Sequence, residues 1–208
     1  MTSGTAIRRQ AERQKALDEI HGTQLAAAKR RHRIGLAAWG AGLLIVVTLV
    51  VAALVASRPV ESADTRVAPG FTLPTSDGQT VSLASLRGTP VVLYFNEGAG
   101  CDTCLIQMAE IEKDPAFAEA GITVLPIVMN TAEQINAERE RLGVTSAFLL
   151  DDGTVSEQYG TLGTGMHEGL PGHGFILIDA DGVQKWYGNY PSMWLAPQDL
   201  LKEVQSRL

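Results

Sequence analysis

Hydrophobic residues are spread along this chain in two different ways. From Ile34 to Ser57 they form one run, IGLAAWGAGLLIVVTLVVAALVAS, 24 residues without a charge. Coiled as a helix, that run covers roughly 36 Å at ~1.5 Å per residue, enough to cross a hydrocarbon core of ~30 Å with some tilt. An uncharged run of this length argues for a membrane span over a buried helix of a soluble domain. The small residues of VAS (55–57) sit at signal-cleavage spacing. The run is nevertheless longer than the ~7–15 residues of a signal h-region, and a long polar segment precedes it, so an uncleaved anchor is expected.

From about Val67 the apolar residues come instead in short bursts. PVVLYF (90–95) is compact, β-branched and aromatic, the pattern of a buried central strand. A helix is predicted to start near Cys101, with Leu105, Met108, Ala109 and Ile111 at helical spacing. ITVLPIVM (122–129) reads as a second buried strand that Pro126 should bend or leave incompletely paired. TAEQINAERERLG (131–143) is a helix with Thr131 as N-cap and Gly143 as its stop. AFLL (147–150) is a short strand, and GFILIDADGVQKWYG (174–188) a hairpin turning at Asp181-Gly182. PQDLLKEVQSRL (197–208) closes with an amphipathic helix. Trp186, Tyr187 and Trp194 are assigned to packing. The alternation β-α-β-α-β-β-α predicts an α/β domain, a mixed central sheet flanked by helices, preceded by one transmembrane helix. The domain boundaries that follow are a basic tail at 1–33, a span at 34–57, a polar linker at 58–66 and a folded domain at 67–208.

Charge orients the anchor. Residues 1–33 hold eight of the 17 Lys and Arg but three of the 23 Asp and Glu, with KRRHR abutting the apolar run. The basic side stays in the cytoplasm, which places the tail inside and the folded domain outside the cell membrane. What remains, nine bases and twenty acids, leaves the rest of the chain at about −11, so nucleic acid is not an expected partner. The tail is read as a topogenic, lipid-facing segment on the bilayer.

An outside location changes the reading of the two cysteines, Cys101 and Cys104, because disulfides persist there. A purely structural staple is a poor use of so short a loop. At a helix N-terminus, free backbone N–H groups and the helix dipole favour a negative sulfur, which makes Cys101 the natural thiolate. Gly98 and Gly100 leave it exposed. Cys104, one turn deeper and expected beneath Phe95 and Leu105, is placed to attack a mixed disulfide. Asp102 suits the helix start but opposes a thiolate on its neighbour.

The blocks APGFTLPTSDGQTVSLASLRGTPVVLYF, CDTC, DDGTVSEQYGT and GFILIDADG together resemble the thioredoxin-like superfamily, in particular its AhpC/TSA and membrane-anchored thiol–disulfide oxidoreductase branch. The resemblance covers most of residues 67–208 and implies a thioredoxin-like fold carrying a redox-active Cys101–Cys104 pair, with no cofactor. The implied function is a membrane-anchored, extracytoplasmic thiol–disulfide oxidoreductase. Its partners would be extracytoplasmic protein thiols and disulfides, with an electron donor or acceptor in or outside the membrane.

Some family marks are missing. A peroxidatic cysteine follows a Pro-x-x-x-Thr/Ser-x-x-Cys frame. Those two positions are Tyr94 and Gly98 before Cys101, and Glu97 and Cys101 before Cys104. Thiol peroxidase therefore ranks below dithiol exchange. The family's cis-proline would lie three residues before the next strand's aromatic, whereas Pro171 lies four before Phe175. Either Pro171 fills that place through a shifted loop, or Gly172 and His173 do, or Pro171 is an ordinary trans-proline. Glu97 is read either as the group that exchanges the Cys104 proton or as a solvated loop carboxylate. A further alternative is a copper or zinc carrier using Cys101, Cys104 and the loop histidines His167 and His173.

Overall fold

The computed structural model describes residues 3–163 and 168–208, which fall into two units divided between Val55 and Ala56. The first is essentially α1 (Ser3–Ala56), which contains a stretch of mean hydropathy 2.5 and is long and apolar enough to cross a membrane. This helix begins far upstream of Ile34. The basic tail is rich in Ala, Gln, Glu, Lys and Arg, all good helix formers, so nothing stops the helix from extending through it. Pro59 stands just beyond the other end, where a helix cannot continue.

The second unit opens with β1 (Val60–Ser62) and β2 (Arg66–Val67). The hairpin of β3 (Thr72–Pro74) and β4 (Thr80–Ser82) leads through a 3-10 turn at Leu83–Leu86 to β5 (Val91–Phe95). There follow α2 (Asp102–Lys113), α3 (Pro115–Glu119), β6 (Thr123–Val128), α4 (Ala132–Leu142), β7 (Leu149–Leu150) and α5 (Thr154–Gln158). The chain closes with β8 (Gly174–Ile178), β9 (Val183–Asn189) and α6 (Pro197–Gln205). The main sheet runs β1-β9-β8-β5-β6-β7, with β2 also on β9. β5, β6 and β7 are parallel to one another, and the other pairings are antiparallel. This is the expected α/β architecture with a mixed sheet.

β5 lies between β6 and β8 and is buried along its whole length. Its alternate residues serve two cores. Val92 and Tyr94 face α2, α4 and α6, packing with Leu105, Met108, Ile135, Leu200 and Val204. Val91, Leu93 and Phe95 face the opposite side, toward Phe71, Leu73, Val155 and Tyr159. Cys104 belongs to the first core, so it packs with Tyr94 and Leu105, and Phe95 lies on the other face of the sheet. The sequence expectation had assigned the wrong side of the strand's period-2 alternation.

Two other expectations are corrected. Residues 58–66 are not a plain linker, because Val60, Glu61 and Ser62 pair with Asn189, Gly188 and Tyr187. Glu61 also accepts a hydrogen bond from the Tyr190 hydroxyl at 2.9 Å. Edge strands held by backbone bonds need no apolar periodicity, so the pattern did not reveal them. Pro126 neither bends β6 nor interrupts its pairing with β5, where it sits opposite Tyr94. The Ile127 carbonyl accepts from Asn96 N at 3.1 Å, so position 126 turns its missing N–H away from β5. On that other side β7 pairs with Ile127 and Val128, not with Pro126.

The helix ends follow the sequence signals. Thr131 and Gln134 form a capping box on α4, and Gly143 ends it in the left-handed conformation at φ 70°. The hairpin turns at Gly182, whose φ is 73°. The two five-residue helices, α3 and α5, had escaped the sequence pattern.

Leu177 on β8 is fully buried beside Trp186, whereas Val60 is exposed. Leu177→Ala should cost about 2–5 kcal/mol, and Val60→Ala should stay within roughly 0.5 kcal/mol. Urea unfolding of the full-length protein in detergent, followed by tryptophan fluorescence, measures both.

Candidate active site

The site is built at the carboxyl end of β5. Asn96 is buried there and folds back on the chain. Its Nδ2 donates to the Tyr94 carbonyl at 3.2 Å, and its Oδ1 accepts from Gly98 N at 3.0 Å. Asn130, just after β6, accepts from Ala99 N at 2.9 Å and ties the two loops together. Gly98 has φ 67°, and a Cβ on it would run into Asn130 and Val128, so only glycine fits. The Gly98 carbonyl then accepts from Cys101 N at 3.0 Å, which delivers Cys101 to the N-cap of α2.

Cys101 and Cys104 form a disulfide with Cα atoms 5.4 Å apart. Their surroundings differ. Cys101 is half-buried, and its Sγ accepts from Cys104 N at 3.3 Å, the side-chain cap of the helix. That backbone donor favours negative charge on the outer sulfur once the bond opens. Asp102 is exposed and paired with Arg141 of α4, which also holds Glu138. The Arg141 hydrogen bond lowers the Asp102 carboxyl below its ordinary value. The same guanidinium offsets the field that Asp102 would otherwise exert on Cys101.

Cys104 is fully buried. The Tyr94 hydroxyl donates to its carbonyl at 3.1 Å. His173 stands at the entry to β8, and the pairing of Phe95 with Gly174 brings it alongside the end of β5. Its Nδ1 lies 3.8 Å from Cys104 Sγ and 3.1 Å from the Tyr94 hydroxyl. The imidazole is buried edge-on against Tyr94 and Phe175, at centroid distances of 5.0 and 5.5 Å. Burial pushes its pKa down to about 4, so the ring is neutral at pH 7. Burial, with the Glu97 charge adding to it, raises Tyr94 well above the usual phenol range.

The structure thus brings together Cys101, Cys104 and His173, with Tyr94 as the link that sequence reading missed. The available signal was a tyrosine tip inside PVVLYF, because a buried phenol needs a hydrogen-bond partner. Glu97 is half-buried in the β5–α2 loop, and its charge is felt at Tyr94. Pro171 is buried and bridges to Leu162. All described peptide bonds are trans, so no cis-proline forms at Pro171. His173, two positions on, places its Nδ1 3.8 Å from Cys104 Sγ. His167 lies outside the described residues. Among those described, no three His, Cys, Asp or Glu side chains gather as a metal-ligand set.

A half-buried sulfur on a helix N-terminus, bonded to a buried one a turn further in, at the end of the central strand of a mixed sheet, defines a thioredoxin-like thiol oxidoreductase. Comparison with known proteins gives the family: residues 65–186 match the AhpC/TSA family model, and the chain belongs to that family. Peroxiredoxin Bcp of Escherichia coli K12 is 34% identical over 133 residues, spanning 60% of this chain and 83% of that protein. The crystal structure of peroxidoxin BcpB from Mycobacterium tuberculosis superposes with a TM-score of 0.57 at 23% identity, over 71% of this chain and 97% of that one. A secreted disulfide oxidoreductase of M. tuberculosis, homologous to E. coli DsbE, superposes at 0.52 and 22% identity, over 65% and 95%. At these identities the two structural likenesses are likenesses of fold.

Proposed function

We propose that this protein is a membrane-anchored thiol–disulfide oxidoreductase whose folded domain works outside the cytoplasm. The observation that carries the reading is the unequal setting of the two sulfurs. Cys101 is half-buried and receives a helix N–H, whereas Cys104 is sealed in the core. Cys101 is then the attacking thiol and Cys104 the resolving one. Partners would be extracytoplasmic protein thiols and disulfides, with an electron donor or acceptor in or beyond the membrane. The dithiol carries the electron pair itself and needs no cofactor. The excess of Lys and Arg before the apolar run supports the orientation, and the length and hydropathy of α1 support anchoring in the bilayer.

Similarity to Bcp favours a second reading, a thiol peroxidase. Against it stands the missing Pro-x-x-x-Thr/Ser-x-x-Cys frame. Without that hydroxyl and that loop, peroxide meets a thiolate with no assembled pocket for the charge that develops. Dithiol exchange is therefore the preferred activity.

Three outcomes are expected. Cys104→Ser keeps attack but loses release, so it should accumulate covalent mixed disulfides with partner proteins, while Cys101→Ser accumulates few. More trapping by Cys101→Ser inverts the roles, and no trapping with full function in both variants removes the redox reading. A membrane-impermeant thiol reagent should modify Cys101 on intact, reduced cells. Modification confined to lysed cells reverses the orientation. In stopped flow, hydrogen peroxide should oxidise the reduced protein near the rate of a free thiolate. A rate several orders of magnitude higher makes the protein a peroxidase.

A further inference from the structure

Closing the disulfide requires Cys104 to attack as a thiolate, yet its position works against ionisation. The sulfur is fully buried among apolar side chains, which raises a thiol pKa. Backbone help goes elsewhere, since Cys104 N serves the Cys101 sulfur. A buried resolving thiol of this kind reacts slowly at neutral pH unless a group beside it takes the proton.

The structure supplies one. The imidazole Nδ1 of His173 is within hydrogen-bonding distance of Cys104 Sγ, at 3.8 Å. Tyr94 is 3.1 Å from that same nitrogen and donates its one hydroxyl hydrogen to the Cys104 carbonyl. With the hydrogen engaged there, the hydroxyl lone pairs are left for the imidazole, whose Nδ1 and Nε2 lie 3.1 and 3.4 Å away. A ring that accepts at Nδ1 carries its hydrogen on Nε2. We propose that His173 accepts the Cys104 proton in the resolving step, with Tyr94 as the positioning residue that stabilises the protonated ring. The inference rests on the dithiol-exchange reading and adds the group that makes its buried thiol reactive.

In the reducing direction, Cys101 thiolate attacks one sulfur of a disulfide R–S–S–R′. That bond breaks, R′S⁻ leaves, and Cys101–S–S–R forms. The Cys104 S–H then gives its proton to Nδ1, and the new thiolate attacks Cys101 Sγ. The Cys101–Cys104 bond forms, the bond to R breaks, and RS⁻ leaves. The imidazolium returns its proton to RS⁻ through solvent. Two electrons pass from the protein dithiol to the substrate disulfide. The opposite direction reverses each step.

The titratable groups around the ring are Cys104 on α2, Tyr94 at the end of β5 with Glu97 beyond it, and Tyr190 after β9. The Tyr190 hydroxyl is turned to Glu61, while its backbone N donates to the His173 carbonyl at 2.8 Å. Burial holds the ring neutral in the disulfide form. Once the bond opens, a thiolate forming at Cys104, 3.8 Å away, is the opposite charge that stabilises the imidazolium. Proton transfer from neutral thiol to neutral imidazole involves no exchange with solvent. The resolving rate should therefore be flat between the histidine and thiol pKa values. Without His173 it must follow the thiolate fraction, rising tenfold per pH unit.

The test uses the reduced full-length protein in detergent with one equivalent of dithiobis(nitrobenzoate). Attack by Cys101 releases one thionitrobenzoate at a concentration-dependent rate. Attack by Cys104 then releases a second at a rate independent of concentration. For wild type that second rate should be flat from about pH 5.5 to 8. For His173→Gln it should be about 100-fold slower at pH 6 and converge on wild type as pH rises, with the first release unchanged. Tyr94→Phe should show a smaller deficit of the same pH form, and Glu97→Gln should stay flat. A wild-type rate that climbs tenfold per pH unit overturns the proposal even if the variant does not fold. So does a His173→Gln deficit independent of pH, or a slope produced by Glu97→Gln and not by His173→Gln. Absence of any second, concentration-independent release from wild type refutes dithiol exchange itself.

Discussion

The complete burial of β5 is the constraint on which the rest of the site depends. Hydrogen-bonded to β6 on one side and β8 on the other, and covered on both faces, this strand has no freedom to shift. Its last residue therefore fixes where the next loop starts. Asn96 and Asn130 fasten that loop to the ends of two adjacent strands, and Gly98 allows it to pass close to Asn130. The helix that follows has to begin at the edge of the core. That boundary is what a dithiol needs, because one sulfur must meet a partner and the other must wait behind it.

The same boundary separates the electrostatics of the two sulfurs. The outer one has a backbone donor and a neighbouring carboxylate whose charge Arg141 compensates. The inner one has a neutral imidazole and apolar walls. Exposed ion pairs such as Arg141–Asp102 contribute little to stability. Here the pair matters through its place, one residue from the outer sulfur. His173 and Tyr94 lie in a drier medium, where a hydrogen bond is stronger and an unpartnered polar group costs more.

This division also shows how one fold carries different thiol chemistries. The family match spans residues 65–186, which hold β5 through β8 and the first turn of α2. Peroxide chemistry and disulfide exchange differ in what surrounds the sulfur. In this chain the loop before Cys101 is a glycine-rich connection pinned by two asparagines. What differs at such a site lies in that loop and in the residue at the entry to β8, not in the sheet beneath them.

Sequence alone determined what rests on local periodicity and local backbone chemistry. The apolar helix, the central strand, the Thr131 and Gly143 caps, the Asp181-Gly182 turn and the placing of Cys101 at a helix start were all legible, because each signal lies within a few residues of its effect. The short helices α3 and α5 were not, since five residues are too few to show a period. Nor were β1 and β2, whose bonds to β9 are made by backbone whatever the side chains. Pro126 misled because a missing N–H matters only on the side where a neighbour needs it. Which face of β5 covers Cys104, and which residue waits beside its sulfur, were decided by the tertiary structure alone. The antiparallel register of β8 on β5 brings His173 to Cys104 across 69 positions of sequence. No local pattern encodes a contact that exists only once two distant strands have paired.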